Sequence, residues 1–177
     1  MSIEISAVVI TVSDRCSRKE QEDKSGDELA ELLNDLGARL VAREVVPDDL
    51  EPLAEMLRRY ADRADVNLIV TTGGTGFAPR GNTPEATRAV IEREAPGLSE
   101  AMRAETLKKT EMAMISRGVC GIRSGTLIIN LPGSPAAVRE CFAVIKHVLP
   151  HAIALLAGKP HAEAKKAKVK RQKEVKR

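Results

Sequence analysis

The sequence predicts an α/β fold, a three-layer α/β/α sandwich built on a mostly parallel sheet. Short apolar runs alternate with segments of helical periodicity, the rhythm that right-handed β-α-β units produce. The run over residues 7–10 is continuously apolar rather than alternating, which suits an inner strand covered on both faces. Two later apolar runs lead straight into glycine-bearing loops, at residues 73–76 and 130–135, each of which opens a new helix.

Taken in order, residues 3–11 form the first predicted strand. A polar turn over 12–17 follows, at the carboxyl edge where open α/β sheets collect ligands. A charged loop over 18–24 leads to Ser25, Gly26 and Asp27, with Ser25 or Asp27 as the cap of the next helix. Leu29, Leu32, Leu33 and Leu36 recur at helical spacing and Gly37 ends the pattern. Residues 40–46 read as the second strand. It ends in Pro47, Asp48 and Asp49, acids that suit either a helix cap or a ligand-facing turn. The helix over 50–63 is expected to bury Leu53, Met56, Leu57 and Tyr60, and residues 66–72 make the strand that feeds the first glycine loop.

Beyond that loop a helix is predicted over 84–94, with Pro84 in its first turn and Ala86, Ala89, Val90 and Ala95 on its apolar side. Pro96 and Gly97 break it, and a helix restarts over 98–108. Residues 111–125 carry no clear period, although the small, polar stretch 116–121 suits a ligand-facing loop. Residues 126–131 form another apolar strand. Pro132, Gly133, Ser134 and Pro135 then turn into one long helix over 136–156, capped by Ser134 with Pro135 at its first position. No internal repeat is present. One domain accounts for residues 1–158, with residues 159–177 as a basic, flexible tail.

Composition narrows the function classes. A chain of 177 residues, 43% hydrophobic and 30% charged, can bury a core without disulfides. No apolar run approaches the ~20 residues of a membrane span, and the chain starts on a strand without a basic leader, so a cytoplasmic protein is expected. The net charge of +3 hides an asymmetry: from Lys159 onward there are nine basic and two acidic residues, a net of +7, which leaves −4 for the body. An acidic body argues against a nucleic-acid-binding domain, and the tail reads as a solvated extension. Cys16, Cys120 and Cys141 are widely spaced, with no C-x-x-C pair, and read as bystander thiols. His147 and His151 have the spacing of a two-ligand zinc pair, but Pro150 between them and the missing glutamate of H-E-x-x-H favour a packing role.

Helix N-termini and exposed loop amides favour anions, so both glycine loops suit phosphates. Two of them at one sheet edge, with Asp14 and Asp48 nearby in the topology, point to a ligand site. Neither loop fits G-x-x-x-x-G-K-[ST] or G-x-G-x-x-G.

The motifs Thr72-Gly73-Gly74-Thr75-Gly76, Pro79-Arg80, Thr83-Pro84-Glu85-Ala86-Thr87, Pro96-Gly97, Ser116-Arg117 and Thr126-Leu127-Ile128-Ile129-Asn130-Leu131-Pro132-Gly133-Ser134-Pro135 closely resemble the molybdopterin adenylyltransferase (MogA/MoaB) family, related to the gephyrin G domain. Thr11-Val12-Ser13-Asp14-Arg15, Lys24-Ser25-Gly26, Pro47-Asp48 and Leu149-Pro150-His151-Ala152-Ile153 fit as well, so that the resemblance runs over residues 5–158. It implies an enzyme of molybdenum-cofactor biosynthesis that joins the phosphate of molybdopterin to the AMP part of Mg-ATP and releases pyrophosphate. It further implies a homotrimer, with a hexamer as the other assembly, and a molybdenum-insertion partner. By motif position, Gly73, Gly74, Thr75 and Gly76 face the nucleotide phosphates, Ser116, Asn130, Pro132, Gly133 and Ser134 hold the adenylate and the pterin, and Arg80 is a further cofactor-binding residue. Ser13, Asp14, Ser25 and Gly26 border the pterin side. Asp48, with Asp14, is the expected catalytic acid, and Asp48 is the expected Mg²⁺ ligand, because that cation prefers oxygen donors. A helix cap is its competing role.

One position departs from the pattern. The family reads Pro-Arg-Asp-x-Thr-Pro-Glu-Ala, and here the aspartate is replaced by Gly81. Losing an acid that acts only in the transition state costs ~3–4 kcal/mol, on the order of a hundredfold or more in rate. Natural divergence, a binding homologue with little turnover and a deliberate substitution are all compatible with Gly81, and Asn82 offers a neutral oxygen nearby.

Overall fold

The computed structural model describes residues 4–158, and the predicted tail at 159–177 lies outside the described residues. Strand β1 (Ser6–Val12), buried at every residue, lies parallel between β2 (Arg39–Val46) and β3 (Leu68–Thr72). Beyond β3, the strands β4 (Arg93–Glu94), β5 (Cys120–Arg123) and β6 (Thr126–Leu131) complete one sheet in the order β2-β1-β3-β6-β5-β4. β3 and β6 are parallel, whereas β5 runs antiparallel to both of its neighbours.

Helices cover both faces, as the continuous apolar strands require. On one face α2 (Lys24–Asp35), α5 (Pro96–Leu107), α6 (Pro135–Ile145) and α7 (Leu149–Leu156) bury Leu29, Leu33, Met102, Phe142 and Ile153 against Val9, Val70 and Ile129. On the other, α3 (Leu50–Ala61) and α4 (Thr83–Arg88) bury Leu53, Leu57, Tyr60 and Ala86 against Val8, Ile10, Ile69 and Ile128. The one-residue alternation between these two strand sets is what makes three layers. One further turn, α1 (Asp14–Ser17), follows β1 and is capped by the Ser13 side chain. Among the described residues no helix is long and apolar enough to cross a membrane.

Several local expectations are corrected. The long helix over 136–156 is two helices, broken at Lys146, His147 and Val148. Pro150 explains the break: it has no N–H for the carbonyl four residues back, and it sits in the first turn of α7, where that N–H is not needed. The helix over 84–94 stops at Arg88, because the amides of Glu92 and Ala95 donate to the carbonyls of Ile122 and Cys120 and draw the chain into β4. Ala89 is therefore exposed, and Pro96 and Gly97 begin α5 rather than separate two helices. The cap of α2 is Asp23, whose carboxylate accepts from the Gly26 amide at 2.9 Å, not Ser25 or Asp27. Residues 111–125 hold a 3-10 turn, Glu111–Ile115, and β5. Ser124 and Gly125, both at positive φ (49° and 84°), return the chain into β6 as a two-residue hairpin. His147, at the bend, and His151, in the first turn of α7, are exposed rather than buried.

Candidate functional site

A cleft of about 870 Å³ opens at the carboxyl edge of the parallel strands. Ser13, Asp14, Ser25, Asp48, Gly73, Gly74, Thr75, Gly76, Arg80, Gly81, Ser116, Asn130, Pro132, Gly133 and Ser134 all line it. Gly26 does not; it is buried behind the wall, where a Cβ would meet Asp23 Oδ2 at 2.1 Å and Thr11 Oγ1 at 2.6 Å. Its glycine identity is a packing requirement of the α2 cap.

The glycine loop turns sharply because Gly73 (φ +101°) and Gly74 (φ +65°) adopt a left-handed backbone. A Cβ on Gly73 would lie 2.3 Å from the Val12 carbonyl oxygen. The loop after β6 lies directly against it: the Thr72 hydroxyl donates to the Pro132 carbonyl at 2.7 Å, and a Cβ on Gly133 would sit 3.2 Å from Gly73 Cα. Two strand ends therefore form one floor. Asn130 sits beneath it with its amide committed, accepting from the Val119 amide and donating to the hydroxyls of Thr71 and Thr87. Its side chain ties the sheet to α4 and leaves no N–H donor for a ligand, only the second lone pair of Oδ1.

The acids form a crossed pair. Asp48 Oδ2 accepts from the Asp14 amide at 2.9 Å, and Asp14 Oδ1 accepts from the Asp48 amide at 3.1 Å. Arg80 bridges Asp14 in a fork, with Nε to Oδ2 at 2.7 Å and Nη2 to Oδ1 at 3.0 Å, and also reaches Asp49 at 3.0 Å. The Arg80 guanidinium, then the Asp48 amide, hold the Asp14 carboxyl down at about 2, so it is an anion at neutral pH. Asp49 stands at the cap position of α3 without making a cap hydrogen bond.

Arg117 is not among the residues that the motif reading assigns to the site, although its neighbour Ser116 is. Its guanidinium donates to the Gly76 carbonyl at 2.8 Å, to the Gly81 carbonyl and to Glu85 Oε1, fastening both ends of the segment that carries Arg80. Burial, the largest single influence, pushes the Glu85 carboxyl up, but the Arg117 bond, a backbone amide and the charges of Arg117 and Arg88 together leave it below its ordinary value. A single arginine among small residues at 116–121 is a faint signal in sequence, because its partners lie more than thirty positions away. Asn82, the other nearby polar group, donates its amide to the Asp48 carbonyl at 3.1 Å.

Among the described residues no cluster of three or more His, Cys, Asp or Glu side chains is set to hold a metal. Asp48 nevertheless lines the cleft, and among the described residues its Oδ1 makes no hydrogen bond, while its Oδ2 and both Asp14 oxygens are engaged. One free carboxylate oxygen fits Mg²⁺ carried in on substrate phosphates, and does not fit an all-protein metal cage. Cys16 and Cys141 line the cleft, and burial pushes the thiols of Cys120 and Cys141 up to about 12 and about 11.

With this geometry in view, similarity to known proteins is informative. Residues 8–170 match a family model described as a probable molybdopterin binding domain. A molybdopterin adenylyltransferase of Helicobacter pylori strain J99 is 40% identical over 152 residues, covering 85% of this chain and 86% of its own length. The molybdenum cofactor synthesis protein cinnamon of Drosophila melanogaster is 46% identical over 162 residues, and this chain spans only 27% of that relative's length. The crystal structure of the molybdopterin biosynthesis enzyme MoaB from Thermus thermophilus shares 47% identity with a TM-score of 0.83, covering 88% of this chain and 98% of that one.

Proposed function

The chain belongs to the MogA/MoaB family of molybdenum-cofactor biosynthesis, and on that premise we propose that it acts as a molybdopterin adenylyltransferase. The observation that carries the proposal is the shared floor of the two strand-end loops, Gly73 against Gly133, with the crossed Asp14 and Asp48 at its rim.

In this reaction an oxygen of the molybdopterin phosphate attacks the α-phosphorus of ATP. The bond from that phosphorus to the bridging oxygen breaks and pyrophosphate leaves. A phosphate nucleophile is already ionised near neutral pH, so the chain has to supply placement and charge screening rather than a strong base. The Gly73 amide is spent on the Leu131 carbonyl, so the amides of Gly74, Thr75, Gly76 and Gly133 are the ones read to meet the phosphates, and Arg80 offsets negative charge at the rim. Asp48 Oδ1 would hold Mg²⁺, which when bound screens the repulsion between the two anions. Ser13 and Ser25 border the pterin side.

A second reading, a molybdopterin carrier with little turnover, draws on position 81. A Cβ there would stand 3.1 Å from the Gly74 carbonyl and 3.2 Å from the Ala78 carbonyl, so the segment is packed around glycine and offers no carboxylate. The deciding measurement is pyrophosphate release from Mg-ATP with molybdopterin, by the native chain and by Gly81→Asp. Fast, equal turnover eliminates the carrier; binding without turnover, rescued by the aspartate, eliminates the plain enzyme. The homotrimer implied by family resemblance is checked by sedimentation equilibrium, where a monomer would refute it.

A further inference from the structure

A smaller cleft of about 350 Å³ adjoins the main one, and Ser99, Arg103, Ser116 and Gly118 line both. Three arginines, Arg88, Arg103 and Arg117, face the smaller cleft against one carboxylate, Glu94. Arg117 is already consumed by Glu85 and two carbonyls, and Arg88 stands 3.8 Å from Glu94. Arg103 differs from both. It is half-buried in the wall between the clefts, donates to the Gly118 carbonyl at 3.1 Å and to Ser99 Oγ at 3.5 Å, and has no carboxylate partner among the described residues.

A half-buried guanidinium without a counter-ion keeps a planar fork of N–H donors, and that fork matches the spacing of oxygens on a phosphate. Ser116, whose hydroxyl accepts only weakly from the Gly118 amide at 3.5 Å, adds a donor in the same wall. We propose that the smaller cleft is a subsite for a small phosphate-type oxyanion seated on Arg103 with Ser116 beside it. The assignment of that anion as pyrophosphate rests on the adenylyl-transfer reading. The shared wall gives a departing pyrophosphate a cationic place outside the floor on which the nucleotide is read to lie, which separates the two product anions.

The competing account is that Arg103 only staples the Gly118 carbonyl, and titration calorimetry on the full chain distinguishes the two. Inorganic pyrophosphate is expected to bind the unmodified protein. Arg103→Met is expected to weaken pyrophosphate binding about tenfold or more, and Arg103→Lys, which keeps charge without the fork, by less. AMP affinity is expected to stay as it is, and the protein to remain folded with a melting temperature lowered by a few degrees for the lost bond to the Gly118 carbonyl. Equal pyrophosphate affinity in the unmodified chain and a folded Arg103→Met overturns the subsite, as does absence of pyrophosphate binding by the unmodified chain. Should Arg103→Met not fold, equal affinity in Arg103→Lys overturns it in the same way. ATP serves as the second arm: a loss shared by ATP assigns the subsite to the nucleotide's own phosphate tail, and a loss confined to pyrophosphate assigns it to the free anion. Pyrophosphate binding that depends on Arg103, without molybdopterin-dependent turnover, removes the enzyme reading and leaves the subsite. Turnover with pyrophosphate affinity unchanged in Arg103→Met does the reverse.

Discussion

The two glycine loops that meet across the cleft floor are held in place by different physics. The loop after β3 is fixed by its backbone: two consecutive left-handed glycines, a carbonyl packed where a Cβ would go, and a guanidinium fastening its far end. The loop after β6 uses ordinary helix-entry chemistry, with the Ser134 hydroxyl accepting from the Ala137 amide at 3.2 Å and Pro135 at the start of α6. One loop tolerates no side chain at Gly73 or Gly74; the other needs only a cap and one close approach. The difference teaches that what constrains a phosphate-suited loop is where its glycines sit: Gly73 and Gly74 are required by φ and by close contacts, whereas Gly76 has open space where a Cβ would go.

Substitutions rank accordingly. Gly73→Ala combines an unfavourable backbone with a contact to Val12, and is expected to cost more than ~3 kcal/mol in urea unfolding or to prevent folding. A cost under ~1 kcal/mol would dissolve the contrast between the loops. Arg117→Ala should cost about 2 kcal/mol, a figure discounted for the partial exposure of the Arg117 and Glu85 side chains. Limited proteolysis between Gly76 and Gly81 should accelerate with it, and unchanged cleavage would show that the clamp is not what holds the segment. Gly133→Ala requires a shift of a few tenths of an ångström at Gly73 Cα, for about 1–2 kcal/mol. Ser134→Ala loses one exposed cap, about 1 kcal/mol or less, and if it rivals Gly73→Ala the ranking is wrong.

The rim adds a test in pH. With the Asp14 carboxyl held down at about 2, against an ordinary value of 3.8, its contribution to stability is present above pH 3.8 and lost as pH falls toward 2. In Arg80→Ala the carboxyl should titrate closer to 3.8, as followed by side-chain carboxylate NMR, and an unmoved midpoint would assign the depression to the Asp48 amide instead.

What the chain discloses before folding depends on how local the cause is. Residues 126–131 and the Ser134 cap follow from adjacent residues, and both stand as expected. The break before α7 is also local, written in Pro150, yet the apolar period across it masks the signal. β4 and β5 are short and held by pairing with distant partners, so no period marks them. At the site, the glycines and aspartates announce themselves by type and spacing. The Asp23 cap is local, but Ser25 and Asp27 compete for it in the same stretch, whereas Arg117 and the inward commitment of Asn130 depend on which groups arrive beside them through the sheet order.

The crossed bonds between Asp14 and Asp48 carry a thermodynamic corollary. Each carboxylate is the anchor of the other's peptide group, so neither can swing toward a bound group without unhooking the strand end opposite. Occupancy on the β1 side and occupancy on the β2 side are thereby two readings of a single latch. Affinities for two ligands measured one at a time should not multiply to the affinity measured with both present, and by reciprocity each ligand shifts the other by the same factor.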